Sequence, residues 1–160
     1  MVKLYKHLNE KTLYWETWNV KGADKAIIHW GIIGESGEHI EIESTSLQSL
    51  TVQIEKEIDT KRLEGYEEID IDNQITLLIE YKTDETFIVE NLEKRHQLED
   101  VMDELLGWTG LGHCDGGSIG SGTMEVCCYV IDFEIAKRVI EESLKKTEFA
   151  DYTRIYDENE

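Results

Sequence analysis

The chain has 160 residues, 40% of them hydrophobic and 32% charged, with 16 Lys+Arg against 35 Asp+Glu for a net charge of −19. That length and apolar content predict one medium or two small folded domains rather than a disordered chain. The acidic surface repels a phosphate backbone, whose binding rests on Lys and Arg releasing counterions, and no apolar run approaches the ~20 residues that a bilayer span requires.

Met1 to His7 contain no apolar h-region and no small-residue cleavage site, which predicts a cytoplasmic protein without a secretory leader. Strands are expected over residues 3–8 and 12–20, with Asn9-Glu10-Lys11 as the turn. In the second strand Tyr14, Glu16 and Trp18 alternate with Leu13, Trp15 and Thr17. Residues 26–33 and 38–43 form a further pair, joined at Glu35-Ser36-Gly37, where Gly37 suits a positive φ. Ser44-Thr45-Ser46 then offers a helix N-cap. Leu47, Leu50, Ile54 and Ile58 follow as one apolar stripe. This helix is expected to bury Trp15, Trp18 or Trp30 and to end at Gly65.

The central strand carries Trp30-Gly31 and then Gly34 and Gly37 at steps of three. Tyr14-Trp15-Glu16 precede it, and Lys61 and Gly65-Tyr66 follow at the end of the helix. On these positions residues 1–70 resemble a WGR domain, a module of DNA-damage-dependent poly(ADP-ribose) polymerases. The resemblance implies an antiparallel sheet with one helix. In WGR domains that bind DNA, the motif's Trp and Arg help engage the broken end. Here Trp30 keeps the first position, and Ile32 stands where the arginine is usual. Isoleucine makes no charge-assisted bond to phosphate, so the resemblance does not carry DNA binding onto this chain.

A boundary falls at 70–73, and beyond it strand and helix alternate. The expected order is a strand at 74–81, a short extra strand at 87–89 and a helix at 92–106 that ends at Gly107. That helix should present Leu98, Val101, Met102 and Leu105 on one face. A glycine-rich segment from Gly112 to Gly122 precedes a strand at 124–131. Asp132 caps a second helix with a stripe of Ile135, Ala136, Val139, Ile140 and Leu144, and a last strand covers 152–156. This order predicts a ferredoxin-like α/β sandwich over 74–160 and an α+β chain overall. Gly112, Asp115-Gly116-Gly117, Glu125 and Asp132 are also similar to a stretch in an uncharacterised bacterial ferredoxin-like family, which implies a fold and no activity.

The glycine-rich segment matches neither phosphate-cradling glycine motif and contains no Lys or Arg, so it reads as a flexible β-hairpin with bulges. His113-Cys114-Asp115 lacks the second ligand pair of a zinc site. Cys127 and Cys128 should point to opposite faces of a strand, and the three cysteines read as free thiols. No catalytic residue, metal or cofactor is expected. The leading expectation is a non-enzymatic acidic binding protein, of the immunity or antitoxin type, that meets a basic protein. Residues 71–160 hold 8 basic and 21 acidic residues, net −13, against 8 and 14, net −6, in residues 1–70. The candidate binding residues are therefore Asp100 and Glu104 on the helix, Asp115, Gly116 and Gly117 in the glycine-rich segment, and Trp30 in the first half. Binding of nucleic acid at physiological salt or of a membrane is not expected, and an exposed sheet edge could pair two copies as a homodimer. Two alternatives stand beside this: a WGR-type nucleic-acid module that relies on aromatics, and a hydrolase or thiol enzyme that uses Cys114 or Asp115 in the glycine-rich loop.

Overall fold

The period-two patterning at the start of the chain folds as four strands, β1 (Val2–Leu8), β2 (Lys11–Asn19), β3 (Lys25–Ile32) and β4 (Glu38–Glu43). Each pairs antiparallel with the next, in the order β1-β2-β3-β4. These coordinates come from a computed structural model that describes residues 1–84 and 86–160. They divide into two compact units, Met1–Asp70 and Ile71–Glu160. Both units combine helix with antiparallel sheet, an α+β architecture.

In the first unit the register places Leu4 opposite Trp15 and Trp15 opposite Trp30. Leu4, Trp15 and Ile28 form a buried centre. Helix α1 (Leu50–Leu63) sets Ile54 and Ile58 against it, with Trp30, Ile42 and Tyr66 at its margin. The helix thus covers Trp15 and Trp30, whereas Trp18 meets His29 on the opposite face of the sheet. The helix begins later than the sequence pattern implies. Thr45 Oγ1 accepts from the amides of Leu47 and Gln48 and holds them in a turn, so Ser49 becomes the N-cap through the amide of Val52. Leu47 is left 92% exposed and drops out of the apolar stripe.

Gly31 and Gly37 show why the central strand needs its glycines. The chain after β3 folds back so that a Cβ on Gly31 would lie 2.8 Å from the Cα of Gly37. A Cβ on Gly37, at φ +64°, would lie 2.2 Å from the Trp30 carbonyl oxygen and 2.3 Å from Tyr14 Oη. Gly37 adjoins Glu38, which pairs with Trp30, so neither backbone atom can retreat without disturbing the β3–β4 ladder.

The second unit starts at a short 3₁₀ turn, Ile71–Asn73. It continues through β5 (Ile75–Lys82), α2 (Ile88–Trp108), β6 (Gly112–Gly120), β7 (Thr123–Val130), α3 (Phe133–Leu144) and β8 (Arg154–Asp157). The sheet order is β6-β7-β5-β8, antiparallel throughout. One sheet face supplies Leu77, Ile79, Tyr81, Met124, Val126, Cys128 and Val130 to the core, and the helices supply Leu98, Met102, Leu106, Ala136, Ile140 and Leu144. Full burial of each large aliphatic among them contributes roughly 1.5–3 kcal/mol. Asp132 caps α3 as expected, accepting from the Ile135 amide at 2.9 Å.

Residues 87–89 are not a strand. Asp84 accepts from the Thr86 amide, and its carbonyl accepts from the Phe87 amide and the Asn91 side chain. That turn launches α2 at Ile88. The Thr86 amide, then its hydroxyl, hold the Asp84 carboxyl below its ordinary value. At the other end α2 runs through Gly107, and the first left-handed residue is Gly110 at φ 67°. The core stripe steps by four through Leu98, Met102 and Leu106, which leaves Val101 39% exposed instead of inward. The last strand starts at Arg154, two residues later than the pattern suggests. Among the described residues no helix is long and apolar enough to cross a membrane.

The glycine contacts predict a graded response. Gly22→Ala, at φ +79° with nothing within 4 Å, should cost about 1 kcal/mol from backbone conformation alone. Gly37→Ala adds a clash with fixed backbone and should cost about 3 kcal/mol or more. Urea unfolding of the two variants measures the difference; equal losses would contradict the close-approach account.

Candidate functional site

The candidate sites lie in different units, and the first was not visible as a site in the sequence. On the sheet face away from α1, β2 and β3 place Glu16 directly opposite His29. His29 is 0% exposed and Glu16 4%. Glu16 Oε1 lies 2.7 Å from His29 Nδ1, and Glu16 Oε2 lies 3.4 Å from Lys3 Nζ. His29 Nε2 lies 2.6 Å from the Ser36 carbonyl and 3.1 Å from Tyr14 Oη, and Tyr14 donates to the Glu35 carbonyl at 3.0 Å. The carbonyl of Ser36 can only accept, so Nε2 donates to it, and Nδ1 faces the Glu16 carboxylate. Burial, then the Glu16 charge, push the phenols of Tyr5 and Tyr14 well above their ordinary range.

A carboxylate orienting an imidazole beside a phenol is an acid–base constellation in form. Here it is sealed. Its far end is spent on the Glu35 and Ser36 carbonyls, so the network, with Glu16, His29 and Tyr14 all buried, clamps the turn after β3. Sequence reading misses it because a histidine among isoleucines looks like core. The available signal is the β2–β3 register, which sets Glu16 against His29.

The residues expected to bind are distributed as follows. Trp30 lies at the margin of the α1-covered core in the first unit. Asp100 and Glu104 are exposed, and on α2 they share a face with Val101 and Trp108, each of these two 39% exposed. An open cleft of about 340 Å³ farther along α2 is lined by Glu90, Glu93, Lys94, Gln97, Glu148 and Phe149. Lys94 is engaged there by Asp151 at 2.8 Å and by the ring of Tyr81, so the lining presents mainly carboxylates. Asp115 and Gly116 occupy a bulge in β6, between the pairs formed by Cys114 and Gly117, and Gly117 resumes the ladder opposite Val126. Gly116 takes φ +85°, and a Cβ on Gly117 would sit 2.1 Å from the Glu125 carbonyl oxygen. Asp103, on α2, accepts the Cys114 amide at 3.0 Å, which joins this bulge to the helix. Gly116 is thus required by its φ and Gly117 by the approach of the Glu125 carbonyl.

The thiols and histidine of this segment separate. His113 stacks on Tyr129 with ring centroids 5.2 Å apart, while Cys114 Sγ lies 3.1 Å from Cys128 Sγ. Adjacent strand residues point to opposite faces, so no Cys114–His113 pair forms. Among the described residues no three His, Cys, Asp or Glu side chains gather as metal ligands. On the helix-free face, Glu125 accepts from Ser118 at 3.0 Å and from Tyr156 at 2.5 Å.

Two measurements probe these networks. Glu16→Leu and His29→Leu should each lower stability by about 3 kcal/mol, because each strands a buried polar partner. The double variant should lose at least about 1 kcal/mol less than the sum. Strict additivity in urea unfolding would refute the pairing. The bond to Glu125 pushes the Tyr156 phenol up to about 12. The folded value is raised, so its contribution is whole below the unfolded value near 10 and is lost as pH rises through about 12. Ultraviolet titration should show this midpoint, and Glu125→Gln should return it toward 10.

Compared with known proteins, the chain matches no family model, no curated protein and no solved structure, so its function has to be read from its own residues.

Proposed function

We propose that this protein acts by binding a basic protein through the outward face of α2, in the manner of an immunity protein or antitoxin that masks a cationic partner. One observation carries this reading. Asp100 and Glu104 stand exposed around Val101 and Trp108, which combines an acidic rim with apolar anchors on a single rigid helix. The carboxylate-lined cleft at Glu90, Glu93 and Glu148 extends the same sign of potential along α2. A field of this kind speeds encounter with a cationic partner and weakens as salt rises. The sealed state of the Glu16–His29–Tyr14 network, the one constellation of acid–base form described above, favours binding over catalysis.

The fold readings belong to the same proposal. Residues 1–70 are read as WGR-like, supported by the four-stranded meander, the single helix and the tight fit of Gly31. Residues 74–160 are read as ferredoxin-like, supported by the order β6-β7-β5-β8 and by a helix in each crossover. With Ile32 at the arginine position and Trp30 packed at the core margin, the motif positions of the first unit offer a phosphate neither a charge nor a stacking platform.

Two experiments test the proposal. Fluorescence anisotropy with nicked duplex DNA at about 0.15 M salt should give no sub-micromolar binding. Affinity capture should recover a basic protein that elutes as salt is raised. Its association rate should fall at least about tenfold on Asp100→Lys with Glu104→Lys. An unchanged rate for a captured partner would place the interface elsewhere.

A further inference from the structure

We propose that Cys114 and Cys128 form a two-electron redox site whose oxidant is a hydroperoxide. The two residues are direct cross-strand partners in the β6–β7 ladder. Their sulfurs lie 3.1 Å apart, with the Cys128 thiol donating to Cys114 Sγ. A disulfide requires about 2.05 Å, so closure asks for about 1 Å of approach. The β6 bulge begins at Cys114, and the residues that follow include Gly116 and Gly117.

Burial assigns the roles. Cys114 is half-buried and reachable by a small oxidant, whereas Cys128 is wholly buried behind it. Cys127, the neighbour in sequence, points to the other sheet face and has its own contact with Tyr129, so it does not compete. The bond to the Cys114 sulfur, then burial, hold the Cys128 thiol above its ordinary value, so the first attack on the oxidant falls to Cys114.

The chemistry balances in two steps. Cys114 sulfur attacks the peroxide O–O bond, forming a sulfenic acid (S–OH) and releasing an alcohol, or water from hydrogen peroxide. Cys128 sulfur then attacks Cys114 sulfur, the S–O bond breaks, and the departing hydroxide takes the Cys128 proton as water. The thiols lose two electrons and two hydrogens, and the peroxide is reduced. The product ties β6 to β7 beside the amide that Asp103 holds, coupling thiol state to the α2–β6 junction.

The test uses the whole reduced chain and a small excess of hydrogen peroxide. Intact mass should fall by two hydrogens, and peptide mapping after alkylation should show Cys114 linked to Cys128 with Cys127 alkylated. The midpoint of thermal unfolding should rise by about 5–15 °C, and dithiothreitol should reverse both changes. Cys127→Ser should behave as wild type. Cys128→Ser should leave a sulfenic acid on Cys114 that a dione reagent traps. If a serine variant fails to fold, the wild-type map decides alone. Overoxidised Cys114 without a link, a link through Cys127, or a link only between chains would each overturn the proposal.

Discussion

The first unit depends on one requirement: the carboxylate of Glu16, once beneath the sheet, must be paired. His29 answers it from the next strand, and its second nitrogen then needs an acceptor, which the Ser36 carbonyl supplies. That demand draws the turn after β3 back over the sheet, and the close approach leaves no room for a side chain at Gly31 or Gly37. Tyr14 completes the arrangement by bridging His29 and the Glu35 carbonyl. A polar core of this kind specifies one register, because a one-residue slip of β3 would leave Glu16 facing Ile28 or Trp30.

The second unit is built by a different economy. Its sheet has one face for the helices and one without them, and β7 alternates without interruption between the two. The bulge in β6 departs from this regularity. It sets Cys114 against Cys128 and turns the Cys114 amide toward Asp103 on α2. Gly112 and Gly117 therefore serve close backbone approach within the ladder.

Much of this architecture was legible in the sequence, and the misreadings share a cause. Strands with period-two alternation, the Asp132 cap and the Gly65 terminus could be read because each depends on neighbours a few residues away. The start of α1 was misplaced because several Ser and Thr residues compete for the cap, and the choice between Ser46 and Ser49 is settled by the turn at Thr45. The 87–89 segment looks like a strand because its residues are β-branched or aromatic, yet the Asp84 turn commits it to a helix. The orientation of Val101 depended on which of two overlapping stripes faces the sheet, which only packing decides. The Glu16–His29 pair escaped for a deeper reason: it is a relation between strands 13 residues apart and exists only once the register is set.

The position of β8 has a kinetic consequence. β5, an interior strand of its sheet, is bordered by β7 on one side and β8 on the other. Arg154 and Glu80, joined across that border, are 74 residues apart in sequence. By contrast, the first unit pairs its four strands through consecutive hairpins, with one longer closure at the Tyr5–Glu67 bridge. Chains rich in local contacts fold faster than those that must close long loops. The first unit should therefore collapse first. The second would pass through a state in which β5, with Leu77, Leu78 and Ile79, shows an unpaired apolar edge until Arg154–Asp157 docks. In that interval the open edge of β5 is available for pairing with another chain.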